Sequence, residues 1–212
     1  MKESLDPIAA VHGGYVAGRR VRVLSQHLAR IIPSGASILD VGAGDGILAS
    51  TLLNSRSDLR IEGIDVLVRP TASIPVKYFD GETIPFADQS FDLVLFVDVL
   101  HHTTNIPALL KEAIRVSRQG IILKDHDCNG LLARPTLRFM DWVGNARHGV
   151  SLPFAYLSRK EWRRTFADLG LAIRSYENKI RLYPWWANWL FGRELHFVAH
   201  IEKSATPTLR PI

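Results

Sequence analysis

Apolar positions along the chain switch between two periods, and the switches outline alternating strands and helices from about residue 36 to 126. Ser37–Val41 (SILDV) is a short apolar strand flanked by glycines, and Ile47–Leu53 follows with helical spacing. Leu59–Asp65 and Pro75–Phe79 read as a second and a third strand. Phe91–Val97 (FDLVLFV) is nearly continuous in apolar character, which marks a strand buried on both faces. Ile106–Val116 has helical spacing and tolerates Pro107 in its first turn. Gly120–Asp125 (GIILKD) is another buried strand. Strands alternating with helices imply right-handed crossovers and a parallel sheet.

The ends of the chain extend this pattern. Val16–Ile32 reads as an N-terminal helix, and Leu132–Val143 and Ser158–Leu169 have helical periodicity. Ser158 with Glu161 three residues later forms a capping box, and Gly170 stands where that helix stops. Leu171–Leu182 and Glu194–Ile201 are two final strands joined by the aromatic stretch YPWWANWLFGR. No repeat or linker divides the chain, so residues 1–212 are expected to form one doubly wound α/β domain.

The first strand runs into Asp40-Val41-Gly42-Ala43-Gly44-Asp45-Gly46, and a helix follows at once. Such a turn lies at the carboxyl edge of an open α/β sheet, where ligands bind. It is not a phosphate loop, because no lysine follows, and Ile47 stands where a dinucleotide fingerprint needs Gly or Ala. Two acids, Asp40 and Asp45, disfavour a pyrophosphate and favour a ligand with a cationic end. Asp65 closes the second strand about 20 residues beyond the glycines, a position suited to ribose hydroxyls. Asp80 follows the third strand, placed to accept a bond from an adenine amino group. Each acid taken alone also serves as a turn former or helix cap.

Composition changes this picture little. The chain is 47% hydrophobic and 22% charged, with a mean hydropathy near zero, as in ordinary globular domains. Cys128 is the single cysteine, which excludes an internal disulfide and a cysteine-rich zinc site. No apolar run reaches the length of a membrane span and the N-terminus lacks a signal-type apolar core, so a cytoplasmic location is expected. The net charge of +5 and pI of 9.6 raise nucleic acid as a partner. The basic residues are scattered, however, and no specific nucleic-acid patch is expected.

ILDVGAGDG (38–46), Asp65, FDGETIPFADQSFDLV (79–94), DVLHH (98–102) and LLKEAIRVSRQG (109–120) together resemble class I S-adenosylmethionine (SAM)-dependent methyltransferases. The resemblance is strongest to the type 11 small-molecule branch, which includes the ubiquinone/menaquinone methyltransferases. It covers roughly residues 35–126 and fades beyond. It implies a Rossmann-like seven-stranded sheet, mostly parallel with an antiparallel last strand, and helices on both faces. Residues 1–34 then form a helical cap, 35–126 the SAM-binding core, and 127–212 substrate-side elements with the last strands. By the same resemblance Gly42, Ala43 and Gly44 pass under the methionine part. Asp65, with neighbouring Val66, holds the ribose, and Asp80 and Gly81 meet the adenine. Asp98 and Val99 lie beside the methionine end. On a helix that carries Arg19 and Arg20 and folds over the donor, Tyr15 or an arginine, Arg19 foremost, could meet the methionine carboxylate. RVSRQGIIL departs from the family by shortening a turn that usually holds Pro-Gly-Gly.

Methyl transfer from a sulfonium needs alignment more than a protein nucleophile. A base matters only where the acceptor must lose a proton, and histidine has the right intrinsic pKa for this. His101, His102, Asp125, His126 and Asp127 stand after the fourth and fifth strands, and His148 in a substrate-covering loop. His126 and His148 are the leading candidates, with His101 and His102 equally suited to shaping their loop. Metal-dependent O-methyltransferases use acids near these strand ends, as Asp125 and Asn129 could. No HExxH or EF-hand spacing is present, and no metal is expected.

The acceptor is expected to be a small hydrophobic or aromatic metabolite. Its pocket is expected from 127–158 with the 183–193 turn, including Phe139, Trp142, Phe154, Tyr156 and Trp185. The tryptophan-rich turn reads first as packing between the last two strands, with a lid over the acceptor or a contact with a membrane surface as the other readings. Two other readings stay open: an RNA or protein methyltransferase, and a SAM-binding protein without turnover.

Overall fold

In the computed structural model, which describes residues 7–145 and 153–204 (backbone alone at 7–13 and 143–145), seven strands form one sheet. The strands are β1 (Ser37–Val41), β2 (Arg60–Asp65), β3 (Val76–Tyr78), β4 (Phe91–Val97), β5 (Ser117–His126), β6 (Leu171–Glu177) and β7 (His196–Lys203). Their order is β3-β2-β1-β4-β5-β7-β6. β7 runs antiparallel to both β5 and β6, so it alone is reversed; the pairings among β1 to β5 are parallel. This is the doubly wound arrangement expected, with the reversed strand last in the chain.

Period-two alternation divides the core between the two faces of the sheet. Leu39, Val94, Phe96, Ile121, Leu123 and Phe197 pack under α3 (Ile106–Val116) and α5 (Arg159–Asp168). Ile38, Leu93, Leu95, Ile122 and Val198 pack under α1 (Pro7–Ile31) and α2 (Ile47–Ser55). A smaller cluster of Ala133, Leu137, Tyr156 and Leu195 seats α4 (Ala133–Asn145) beside the carboxyl end of β5.

Several boundaries move for physical reasons. α3 ends at Val116 and β5 begins at Ser117, so the family's turn is not merely short but absent. β5 therefore starts three residues before Gly120, with Ser117 pairing Phe91. β6 stops at Glu177, and Ile180 and Leu182 leave the ladder to fill the core on the α1 face. α1 begins at Pro7 rather than Val16. The capping box at Ser158 forms as read, with its hydroxyl accepting from Glu161 N–H. It fixes α5 so that Trp162 is buried and donates to the His126 carbonyl at 2.9 Å.

Candidate functional site

The turn after β1 is stitched to the end of β2. Gly42 and Ala43 N–H both donate to the Ile64 carbonyl, at 2.8 and 3.1 Å. Gly42 has φ +75, and a Cβ there would stand 2.5 Å from Val99 Cγ2, so only glycine lets Val99 pack against the turn. Gly44 (φ +60) instead faces open space, with nothing nearer to a built Cβ than Arg69 Nη1 at 3.9 Å. The Asp65 carboxylate accepts from Gly44 N–H and from Leu67 N–H, both at 2.8 Å, which holds it against the opened turn. Val66 and Leu67 beside it are exposed, an apolar surface with Gly81 adjoining Val66. Asp80 Oδ1 accepts from Glu82 and Thr83 N–H, so that acid shapes its own turn, and those bonds lower its pKa.

Asp40 is buried beneath this edge. Burial, and secondarily the Asp65 charge, push its pKa up to about 7. A cation placed at this edge would ionise it. An open glycine backbone, a fixed carboxylate, an exposed apolar surface and a buried acid short of positive charge fit SAM, with its sulfonium, ribose and adenine.

The N-terminal helix reaches the same edge through Arg20, one of the two arginines singled out on it. Arg20 pairs with Asp98, whereas Arg19 donates to the Arg181 carbonyl at 3.3 Å. Tyr15 and Arg19 line a separate groove of about 570 Å³ with Tyr183, Trp185 and Trp189. Asp98 follows β4 with φ +58, a left-handed conformation that Asp tolerates. Lys124, wholly buried in β5 on the α1 face, also pairs with Asp98. Arg20 and Lys124 outweigh burial and hold the Asp98 carboxyl well below its ordinary value.

Beyond Asp98 lies a buried polar cluster, built where β5 meets β7 and α4. His101 Nδ1 is 2.7 Å from Asp125 Oδ1 and 3.2 Å from His126 Nδ1. Asp125 also accepts from Leu100 N–H at 3.0 Å and from His126 N–H at 2.7 Å. The Tyr156 hydroxyl donates to Asp141, and His196 Nδ1 lies 3.3 Å from Lys124 Nζ. Burial opposes a charged His101, but Asp125 and Asp141 prevail and raise its pKa to about 10. Burial, reinforced by the His101 charge, lowers His126 to about 4 and lowers His102 as well. The carboxylates thus favour positive charge at His101, while burial and that charge disfavour it at His126 and His102.

The expected histidines His101, His102 and His126 are therefore brought together, while His148 lies outside the described residues. Asp127 is buried as a structural anchor, accepting from Arg159 at 2.8 Å, from the Tyr176 hydroxyl at 2.9 Å and from Asn129. Lys124, Asp141 and His196 carry no chemical motif in the sequence, and Tyr156 stands there only as a pocket aromatic. Only Lys124 carried a signal there, as a charge at an inward position of a strand read as buried.

A groove of about 640 Å³ opens beside Tyr156, lined by Arg134, Arg138, Phe154 and two prolines. Arg138 stacks over the Phe154 ring at 4.9 Å. Of the other aromatic residues expected in the pocket, Phe139, Trp142 and Trp185 are exposed rather than enclosed. Four of the five tryptophans face solvent (Trp142, Trp185, Trp186 and Trp189), and only Trp162 is buried. No helix among the described residues is long and apolar enough to cross a membrane.

Comparison with known proteins accords with this geometry. A family model described as a methyltransferase domain matches residues 15–176. The chain is 37% identical over 98 residues to a demethylmenaquinone methyltransferase of Tropheryma whipplei, covering 42% of this chain and 40% of that one. It is 29% identical over 164 residues to a ubiquinone/menaquinone biosynthesis C-methyltransferase of Cupriavidus metallidurans, covering 68% and 66%. The chain thus spans less than two thirds of the length of either relative. Among solved structures, an S-adenosylmethionine-dependent methyltransferase of Mesorhizobium loti superposes with a TM-score of 0.61 at 15% identity, covering 84% of this chain and 96% of that one. With most of its length inside the family model and a donor edge of the matching chemistry, this chain belongs to the methyltransferase-domain family, whose cofactor is S-adenosylmethionine.

Proposed function

We propose that the protein transfers a methyl group from SAM to a small apolar or aromatic acceptor. The observation that carries this reading is the adjacency of two sites along one sheet edge. Asp40, Gly44 and Asp65 form a donor cradle, and Tyr156, Asp141 and the histidines form a polar cluster beside a separate groove. When bound, SAM supplies an electrophilic methyl on a positively charged sulfur. Asp65 would hold the ribose hydroxyls, and the backbone at Gly42–Gly44 would give close approach to the methionine part. Asp40 would hold the cationic end in its ionised form, and Arg20 ties the N-terminal helix across Asp98. Phe154 and Tyr156 orient an aromatic acceptor by their ring faces, with the polar cluster beneath.

The quinone methyltransferase relatives support an acceptor of this class. So does the exposed tryptophan rim, which we read as a contact with the membrane surface that carries the acceptor. Trp and Tyr favour the bilayer interface because one part of each ring system is apolar and another polar. Scattered positive charge favours anionic lipid over a specific RNA. The test is transfer of labelled methyl from SAM to reduced quinones presented in anionic vesicles, with structured RNA as the rival acceptor. Label on the quinone upholds the reading; label only on RNA, or on protein, replaces it.

A further inference from the structure

Among the described residues, three groups of histidine and aspartate bring ligand atoms within 4.8 Å of one another. They are Asp98 with His126 and His196, His101 with Asp125 and His126, and His101 with His102 and Asp141. The three are not equivalent. In the first, Asp98 already holds the cations Arg20 and Lys124, and the Lys124 ammonium also lies 3.3 Å from His196 Nδ1. A further dication there would meet two positive charges. In the second, the partners satisfy one another. Asp125 spends its oxygens on His101 and on two backbone N–H groups, and the His101 and His126 Nδ1 atoms share a contact of 3.2 Å.

The third group is different. His101 Nε2 and His102 Nδ1 are both buried nitrogens with no hydrogen-bond partner. Their rings lie 4.0 Å apart between centroids, and His101 Nε2 is 3.4 Å from Asp141 Oδ2 without the alignment of a hydrogen bond. Buried polar atoms left unpaired are costly, and two on neighbouring rings grouped with one carboxylate need a common explanation. The surroundings supply it. Asp125 grips His101 Nδ1 at 2.7 Å, the outer carboxylate that sets a ligating histidine's tautomer and turns Nε2 toward a metal. The Tyr156 hydroxyl likewise fixes Asp141.

We propose that His101 Nε2, His102 Nδ1 and Asp141 bind a divalent transition-metal ion of borderline softness, zinc foremost, against the sequence expectation of no metal. Two imidazoles and one carboxylate are a three-ligand set that leaves a coordination position open. Asp125 and Asp141 on either side of His101 call for positive charge between them. A metal ion shared by the three groups gives both unpaired nitrogens a partner beside the Asp141 carboxylate. His102 is the partly exposed member, and Tyr156 links the site to the 640 Å³ groove. The open position is therefore the place for an acceptor oxygen. That role rests on the proposed function; binding of the ion does not.

The experiment uses the full chain, stripped by a chelator and titrated with Zn²⁺ by calorimetry and with Co²⁺ by visible absorption. The expected result is a single equivalent of either ion, with Co²⁺ giving the ligand-field bands of a low-coordinate nitrogen–oxygen site. His102→Ala and Asp141→Asn should each weaken binding by roughly 10- to 100-fold or more. His102→Ala, at a partly exposed position, should keep the wild-type circular dichroism and SAM affinity, so that loss of metal is not loss of fold. Failure of the stripped protein to bind Zn²⁺ or Co²⁺ overturns the proposal. So does a Co²⁺ spectrum identical in wild type and both variants, which would place the ion elsewhere. Absent metal with intact SAM binding and methyl transfer would end this inference alone; bound metal without SAM binding would end the proposed function and leave the metal site.

Discussion

The donor edge and the buried polar cluster sit side by side at the carboxyl ends of the strands, yet they are built by different means. The donor edge is made of backbone. Gly42 and Gly44 take left-handed dihedrals, Asp65 is held by two N–H groups, and little of it depends on distant side chains. The cluster is made of side chains from five parts of the chain: the turn after β4, β5, α4, the segment that holds Tyr156, and β7. A backbone site is tuned by local geometry and survives loss of a side chain. A buried ionisable site is held by mutual compensation, so removing one member leaves another charged and unpaired.

The sharpest break in this comparison is Asp98→Ala. It leaves Lys124 buried without its carboxylate and should cost about 3–5 kcal/mol in denaturant unfolding. Adding Lys124→Met should recover most of that loss, because the stranded charge goes with it. A double variant as unstable as the single would show that Asp98 acts through its backbone turn instead.

Asp65→Ala probes the other region and should do the reverse. SAM affinity should fall by roughly 1–3 kcal/mol, since ribose hydroxyls lose a charged acceptor, while unfolding changes little. Calorimetry beside a melting curve separates the two effects. Loss of fold with unchanged affinity would reverse the contrast drawn between the regions.

Asp40 sharpens the comparison, because it is a buried acid that belongs to the donor edge. Its pKa of about 7 means that a sulfonium binds best after the proton has left. SAM affinity relative to S-adenosylhomocysteine, which lacks the positive sulfur, should therefore fall as pH drops from 8 to 6, by up to about tenfold per unit. Asp40→Asn should remove the pH dependence. In the free protein the sign for stability is opposite to that of a salt-bridged acid. Between its ordinary 3.8 and about 7 the folded state keeps a proton that the unfolded chain has lost, so stability falls as pH rises through that window.

The smallest effect lies between the two regions. Ser158→Ala removes the cap of α5, the helix that holds Trp162 on the His126 carbonyl, and should cost about 1 kcal/mol of stability without changing SAM affinity. A changed affinity would mean that the cluster and the donor edge are coupled through β5.

The same division explains what could be read in advance. β1, β4 and α3 fall where period and glycine spacing put them, because a buried parallel strand and an amphipathic helix leave local signatures. The shared edge of Asp40, Asp65 and Asp80 is legible for the same reason: each lies at or within two residues of a strand's carboxyl end. The cluster is legible only in part: His101, His102, Asp125 and His126 stand at strand ends, but Asp141 and Tyr156 join them only after α4 and the following segment fold back onto β5, and no local period encodes that. Arg20 rather than Arg19 reaches Asp98 because one residue is a turn of about 100° on a helix, beyond what a sequence pattern resolves. β6 ends early since Ile180 and Leu182 are apolar for the core rather than for the ladder.

A crystal structure with S-adenosylhomocysteine bound tests the central claim most directly. The account predicts ribose hydroxyls on the Asp65 carboxylate, the adenine against Val66 and Gly81, and the sulfur above Gly42–Gly44, facing the groove beside Tyr156. A ligand bound elsewhere, or seated here with its sulfur turned away from that groove and the histidine cluster, would contradict it.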